Sequence, residues 1–236
     1  SEYKISSGIG GGRYLLTHVV PTDGRKHRVE YHLDMVKFLG CRTDKLEWGI
    51  YLTDGEQERL DRALRTAGIS GKFIAVHPGS RQSLKTWPVD KCASLYDRIM
   101  EGTELPLVIL GAMDEKAQVR DIMGRMRRRP VDLAGQLNLR EVAGTIARSV
   151  FFICNASAPM HVAAAMKTPT VAIFGPSKSR ETGPYGGKHH RVVENPLPCP
   201  YDCDENKCRH REHNAWKQSN NVEEVVDVVG DLMKEQ

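Results

Sequence analysis

The chain has 236 residues, 34 Lys and Arg against 30 Asp and Glu, a formal net charge of +4, 40% hydrophobic and 27% charged residues. That length can bury a sizeable core; it is long for one domain and short for two full ones. No apolar run approaches the ~20 residues that cross a bilayer, no charged-then-apolar leader opens the chain, and the mild positive charge comes with no nucleic-acid motif.

The expectation is a globular protein of the cytoplasm that does not bind nucleic acid. The chain opens Ser-Glu-Tyr without Met, as a fragment or a processed chain would. Ser7-Gly8-Ile9-Gly10-Gly11-Gly12 superficially has the look of a dinucleotide loop, but no strand is read before it and the glycine spacing is wrong, so it reads as a connector. From His27 to Leu39 the pattern predicts a helix with Val29, Leu33, Val36 and Leu39 on one side, closed by Gly40. Asp54-Gly-Glu-Gln57 reads as a capping box for a second helix that carries Leu60 and Leu64 and ends near Gly68.

From Lys72 onward strands and helices alternate. Strands are expected over 73–76, 107–110, 131–133, 151–154, 170–174 and 191–193. Between them lie a helix from Pro88 burying Cys92, Leu95, Tyr96 and Ile99, a helix over 114–126, one opened by the capping box Asn138-Leu-Arg-Glu141, and one over 159–166. Val222, Val225, Val226, Val229 and Leu232 share the face of a closing helix. Such alternation means an α/β, Rossmann-like parallel sheet covered on both faces. Four arginines crowd into 125–129 and read as a solvated helix end, although attraction to anionic lipid is compatible with them. Cys199, Cys203 and Cys208 lie near His210 and His213, but their spacing misses the usual two-residue zinc knuckle, and no metal is expected.

In an open parallel sheet, ligands sit beyond the carboxyl ends of the strands, and the polar residues gather in the loops that leave those ends. After the first strand comes His77-Pro78-Gly79-Ser80-Arg81-Gln82-Ser83-Leu84-Lys85-Thr86-Trp87-Pro88. Gly79 allows close backbone approach, Ser80 offers a hydroxyl, and Lys85 offers a cation for a diphosphate. Glu115 in Gly111-Ala112-Met113-Asp114-Glu115 serves either a ligand or its own helix N-terminus. In Ala134-Gly135-Gln136-Leu137-Asn138, apolar Leu137 suits a base. Asn155-Ala156-Ser157-Ala158-Pro159-Met160-His161 turns from strand into helix. Pro159 suits the first helical turn, Ser157 can cap it, and the small residues leave room for an anion before free N–H groups. An ordinary crossover with small residues for packing fits the same pattern.

Phe151 to Ser177, with Asn-Ala-Ser-Ala-Pro-Met-His followed by Thr-Pro-Thr-Val-Ala-Ile-Phe-Gly-Pro-Ser, resembles the signature of glycosyltransferase family 9, the ADP-heptose:lipopolysaccharide heptosyltransferases. His77-Pro-Gly-Ser with Lys85 and Trp87-Pro88 resembles a second motif of that family. Two positions depart from it: Ala156 stands where the family has Asp, and Ala158 where it has Gly. The resemblance implies the C-terminal half of a two-Rossmann-domain (GT-B) glycosyltransferase, with residues 1–70 a remnant of the N-terminal acceptor domain and linker and 71–236 the nucleotide-sugar donor domain with its C-terminal helix. It implies transfer of heptose from ADP-heptose to the lipopolysaccharide inner core, with no cofactor or metal. A peripheral contact with the inner membrane is compatible with the acceptor. Lys85 would stabilise the leaving ADP. Gly79, Ser80, Arg81, Glu115, Gly135, Leu137, Asn155, Ser157, Ala158 and His161 would bind the donor. The base that deprotonates the acceptor would lie in the N-terminal domain, so this chain alone is expected to be inactive. Ala156 cannot accept hydrogen bonds from sugar hydroxyls as Asp would, which keeps open a second reading, a non-catalytic nucleotide-sugar-binding or scaffold protein. An NAD-dependent enzyme is disfavoured, because no Gly-x-Gly-x-x-Gly follows a strand.

Overall fold

The computed structural model describes residues 3–7, 12–21, 23, 25–43, 46–194 and 220–235. At the front, β1 (Ile5–Ser6) and β2 (His18–Val19) pair in parallel. A strand does therefore precede the glycine cluster, contrary to the sequence reading. It leads into a single 3-10 turn over Arg13–Leu15 and not into a helix, so no phosphate-binding helix end follows it. Gly8 to Gly11, like the cysteines and histidines of 199–213, lie outside the described residues.

Helix α1 (Arg28–Phe38) begins at His27, whose Nδ1 accepts the Val29 N–H, and is closed by Gly40 at φ 83. Its expected apolar side is not buried along its length: Tyr31 is covered, whereas Val36 and Leu39 are exposed. Helix α2 (Asp54–Thr66) starts one residue earlier than the sequence suggested. Thr53, not Asp54, is the cap: Glu56 N–H donates to its hydroxyl at 3.3 Å, and Glu56 Oε2 accepts Thr53 N–H at 2.8 Å. Leu60 and Leu64 are buried as expected, and Gly68 (φ 79) ends the turn.

The remaining strands are β3 (Ile74–His77), β4 (Leu107–Ile109), β5 (Val131–Asp132), β6 (Phe152–Asn155), β7 (Thr170–Phe174) and β8 (His190–Glu194). They form one parallel sheet in the order β5-β4-β3-β6-β7-β8. β3, β4, β6 and β7 are buried at every position, as strands covered on both faces must be, which is why their sequences show no polar alternation. Between them run α3 (Val89–Thr103), α4 (Lys116–Arg125), α5 (Leu139–Arg148), α6 (Ala158–Ala165) and the short α7 (Ser179–Thr182); α8 (Val222–Lys234) closes the described chain.

The period of two along each strand separates two cores. Ile74, Val76, Ile109, Ile153 and Ile173 meet α3, α4 and α8 on one face. Ala75, Val108, Leu110, Phe152 and Phe174 meet α2, α5 and α6 on the other. Helix α8 is thus a covering helix of this sheet: Val225, Val229 and Leu232 lie in the first core, and Asn220 just before it donates to the Phe174 carbonyl at 2.7 Å. Among the arginines at 125–129, Arg125 pairs with Asp121 and Asp90, and Arg127 with Asp97 and Glu101, the behaviour of a solvated, ion-paired turn. Among the described residues no helix is long and apolar enough to cross a membrane.

The docking of α2 on α5 depends on Gly144. A Cβ there would lie 2.7 Å from side-chain carbons of both Leu52 and Leu60. Gly144→Leu should therefore destabilise the chain by about 1–2 kcal/mol, although helix propensity alone would stabilise it by up to about 1 kcal/mol. The urea midpoint checks this: an unchanged or raised midpoint would show that α2 yields without cost.

Candidate functional site

The strand order turns about β3: the chain leaves β3 for β4 and β5 on one side and returns to β6, β7 and β8 on the other. Crossovers in opposite directions open a crevice beyond the carboxyl ends of β3 and β6. A cavity of about 590 Å³ occupies that place, within the range of small-molecule sites.

Four loops line it. After β3 come Ser80, Arg81 and Lys85, the last in a 3-10 turn over Ser83–Lys85. After β4 come Gly111, Ala112 and Glu115, and after β5 Leu137, continued by Leu139 and Val142 of α5. After β6 come Ala156, Ser157, Ala158 and Pro159, where α6 begins with proline in its first turn. Cations therefore face the start of α6, a helix end that carries partial positive charge. An apolar wall of Leu137, Leu139 and Val142 lies to one side, and a single carboxylate, Glu115, stands between. Ser157 occupies the N-cap position but does not cap as expected: its hydroxyl leans back towards the Asn155 carbonyl at 3.4 Å, Pro159 has no N–H, and the Met160 N–H donates to the Ser157 carbonyl at 3.0 Å, which leaves the Ala158 N–H for a ligand.

Four sequence-predicted residues do not form the wall. Asn155 is buried beneath it, its Nδ2 donating to the Pro78 carbonyl at 2.5 Å, so that it joins the loops after β6 and β3. Gly135, at φ 66, donates its N–H to the Gly111 carbonyl at 2.8 Å and joins the loops after β5 and β4. Gly79 backs Glu115: a Cβ there would stand 2.0 Å from Glu115 Oε1. His161 lies one turn into α6 and reaches solvent. Dehydration of its ring, and then the electrostatic influence of His27 and Lys85, hold its pKa below the ordinary 6.5.

Two contributors were not assigned from the sequence. His77, last residue of β3, lines the cavity and places Nε2 3.2 Å from Glu115 Oε2. That contact, assisted by the Ala112 N–H at 2.7 Å, holds the Glu115 pKa below the usual 4.5 against the opposing effect of burial. The first position of the His-Pro-Gly-Ser stretch was the available signal. His27 arrives from the front segment, its Nε2 donating to the Gly183 carbonyl at 3.0 Å and its ring 4.8 Å from that of Tyr185. No local pattern could have linked residue 27 electrostatically to residue 161. Among the described residues no cluster of three His, Cys, Asp or Glu side chains is arranged to hold a metal ion.

Comparison with known proteins gives a consistent result. The sequence model described as "Glycosyltransferase family 9 (heptosyltransferase)" matches residues 7–212. The chain is 30% identical over 161 residues to "Lipopolysaccharide heptosyltransferase 3" of Escherichia coli K12, a match covering 67% of this chain and 46% of that protein. The chain spans about half the length of the curated relatives it matches. In fold it is similar to a glycosyl transferase family 9 protein from Veillonella parvula, with a TM-score of 0.80, 19% identity and coverage of 100% of this chain and 68% of that one. It is also similar to "E. coli ADP-heptose lps heptosyltransferase II", with a TM-score of 0.74, 21% identity and coverage of 99% and 70%.

The electrostatic influence of His27 on His161 has a titration signature. Because the folded pKa of His161 is lowered, its share of stability is complete above 6.5 and is lost as pH falls from there through the folded value. Ring resonances of His161 should titrate below pH 6.5, and His27→Gln should move that midpoint upward. A midpoint that does not respond to His27→Gln would separate the two rings.

Proposed function

The chain belongs to glycosyltransferase family 9, the heptosyltransferases, and we propose that it is mainly the donor-binding half of an enzyme that moves heptose from ADP-heptose to the lipopolysaccharide inner core. In this reading residues 71–236 hold the nucleotide sugar, and residues 1–70 are the end of an acceptor domain and its linker. The observation that carries it is the cavity at the β3–β6 switch point, with Lys85 and Arg81 on one side, the open start of α6 on the other and an apolar wall beside them. Such a set suits a nucleoside diphosphate: diphosphate to the cations and the helix end, base to Leu137, and ribose hydroxyls to Glu115, whose Oε1 receives no hydrogen bond from the described residues.

In the transfer, the bond between the anomeric carbon and the β-phosphate oxygen breaks as an acceptor hydroxyl oxygen forms the new glycosidic bond. ADP leaves with the electron pair of the broken bond, and Lys85, Ser80 and the Ala158 N–H at the start of α6 stabilise its growing charge. His161, held neutral at pH 7, can donate a hydrogen bond to phosphate or sugar without bringing a second full charge. The hydroxyl proton goes to a base in the region that the longer relatives have and this chain does not span. The chain alone is accordingly expected to bind donor without turning it over, and with these cations in place we propose that no divalent metal is required.

Ala156 favours a second reading. Its methyl group lines the cavity next to Ser157 and offers a sugar no hydrogen bond. Loss of such a bond costs about 1–3 kcal/mol, or roughly 5- to 150-fold in affinity. A nucleotide-sugar-binding protein without transferase activity would tolerate that.

Isothermal titration separates these possibilities. ADP should bind, and Lys85→Ala should weaken it about tenfold, the effect of one charge-assisted hydrogen bond. Ala156→Asp should strengthen ADP-heptose selectively over ADP. Absence of ADP binding at millimolar concentration would overturn the donor-half reading, and tighter binding of UDP-N-acetylglucosamine than of ADP-heptose would replace the proposed donor.

A further inference from the structure

We infer that His77 is the positioning residue that gives the site its preference for a ribose diol, by fixing the rotamer and charge of Glu115. The inference rests on the nucleotide reading above and adds to it a residue with no assigned role.

The Glu115 carboxylate is held at both oxygens. Oε2 faces two donors, the His77 ring nitrogen at 3.2 Å and the Ala112 N–H at 2.7 Å. Oε1 lies against the backbone of Gly79, so close that any side chain at that position would overlap it. The carboxylate can neither rotate freely nor withdraw. With Oε2 saturated, Oε1 keeps its lone pairs for a ligand, and one carboxylate edge with two open lone pairs matches two vicinal hydroxyls. An ionised carboxylate is needed for this, because a protonated one would present a donor in the same place. The hydrogen bond from His77 is the foremost cause of the lowered Glu115 pKa.

The ring of His77 is a poor choice for packing alone. It is 7% exposed, and its Nδ1 is buried without a hydrogen-bond partner among the described residues, an arrangement that costs stability. Phenylalanine would fill the same space without that cost. What imidazole adds is a single donor at Nε2, and that donor faces Glu115. Its backbone is equally fixed: His77 ends β3, paired with Cys154 of β6, at the switch point itself. The 3-10 turn that carries Glu115 is tied to the same loop by Gln118, whose side-chain amide donates to the Pro78 carbonyl at 3.3 Å.

The test compares ADP with 2′-deoxy-ADP by isothermal titration on the wild-type chain, His77→Phe and His77→Gln, each first shown to be folded by circular dichroism. Wild type should prefer ADP by about tenfold or more, the worth of one hydrogen bond to a charged group. His77→Phe should weaken ADP more than 2′-deoxy-ADP, which offers Glu115 one hydroxyl in place of two, so that the preference collapses. Glutamine carries an amide N–H near the place of Nε2 and should restore much of it. If His77→Phe weakens both nucleotides equally, or leaves the preference intact, His77 does not position Glu115. If wild type binds both nucleotides equally well, Glu115 does not read the diol and the inference falls with it. If wild type binds neither, the nucleotide reading itself is wrong.

Discussion

The site depends first on the pairing of β3 with β6. Ala75, Val76 and His77 lie opposite Phe152, Ile153 and Cys154 in a parallel register buried on both faces. Because each strand then sends its chain to a different side, nothing between them covers the carboxyl ends, and the loops that leave there must face one another across a gap. A one-residue slip in this register would exchange the two cores and turn His77 away from Glu115. Asn155 secures the same junction from below by bonding the Pro78 carbonyl across the two strands, with its own Oδ1 buried and unpaired among the described residues. That imbalance is tolerated where loop geometry matters more than local stability.

From this frame the chemistry of the cavity follows by position. Parallel strands place helix N-termini next to their carboxyl ends, so a helix end and an anion site come with the topology. The sequence then adds what topology does not provide. Small residues at 156–158 let a ligand approach α6, cations at 81 and 85 face it, and a carboxylate at 115 is held by the end of the neighbouring strand. The glycines at 79 and 135 act behind the wall, one making room for Glu115 and the other joining two loops through a left-handed turn.

Much of this was legible in the sequence, because apolar runs of strand length alternating with capped helices leave few architectures open. All six strands of the main sheet appear within about a residue of their expected ends, and the capping box at Asn138 forms both of its hydrogen bonds. What was not legible depends on tertiary placement. Thr53 outcompetes Asp54 as cap because the choice rests on backbone direction, which composition does not encode. The apolar side of α1 matches helical spacing, yet spacing does not say whether anything packs against it. Ser157 has the right type and position for a cap, but its hydroxyl turns to the Asn155 carbonyl instead. His27 acts on His161 electrostatically only because the front segment folds back onto the loop before β8, 156 residues separating His27 from its partner Gly183.

The most direct test of the donor-half account is a crystal structure of the chain grown with ADP. The account predicts the diphosphate between Lys85 and the start of α6 at Ala158, the base against Leu137, and ribose hydroxyls within hydrogen-bond distance of Glu115. Nucleotide bound elsewhere on the sheet, or bound in the crevice with its phosphates away from α6, would contradict it.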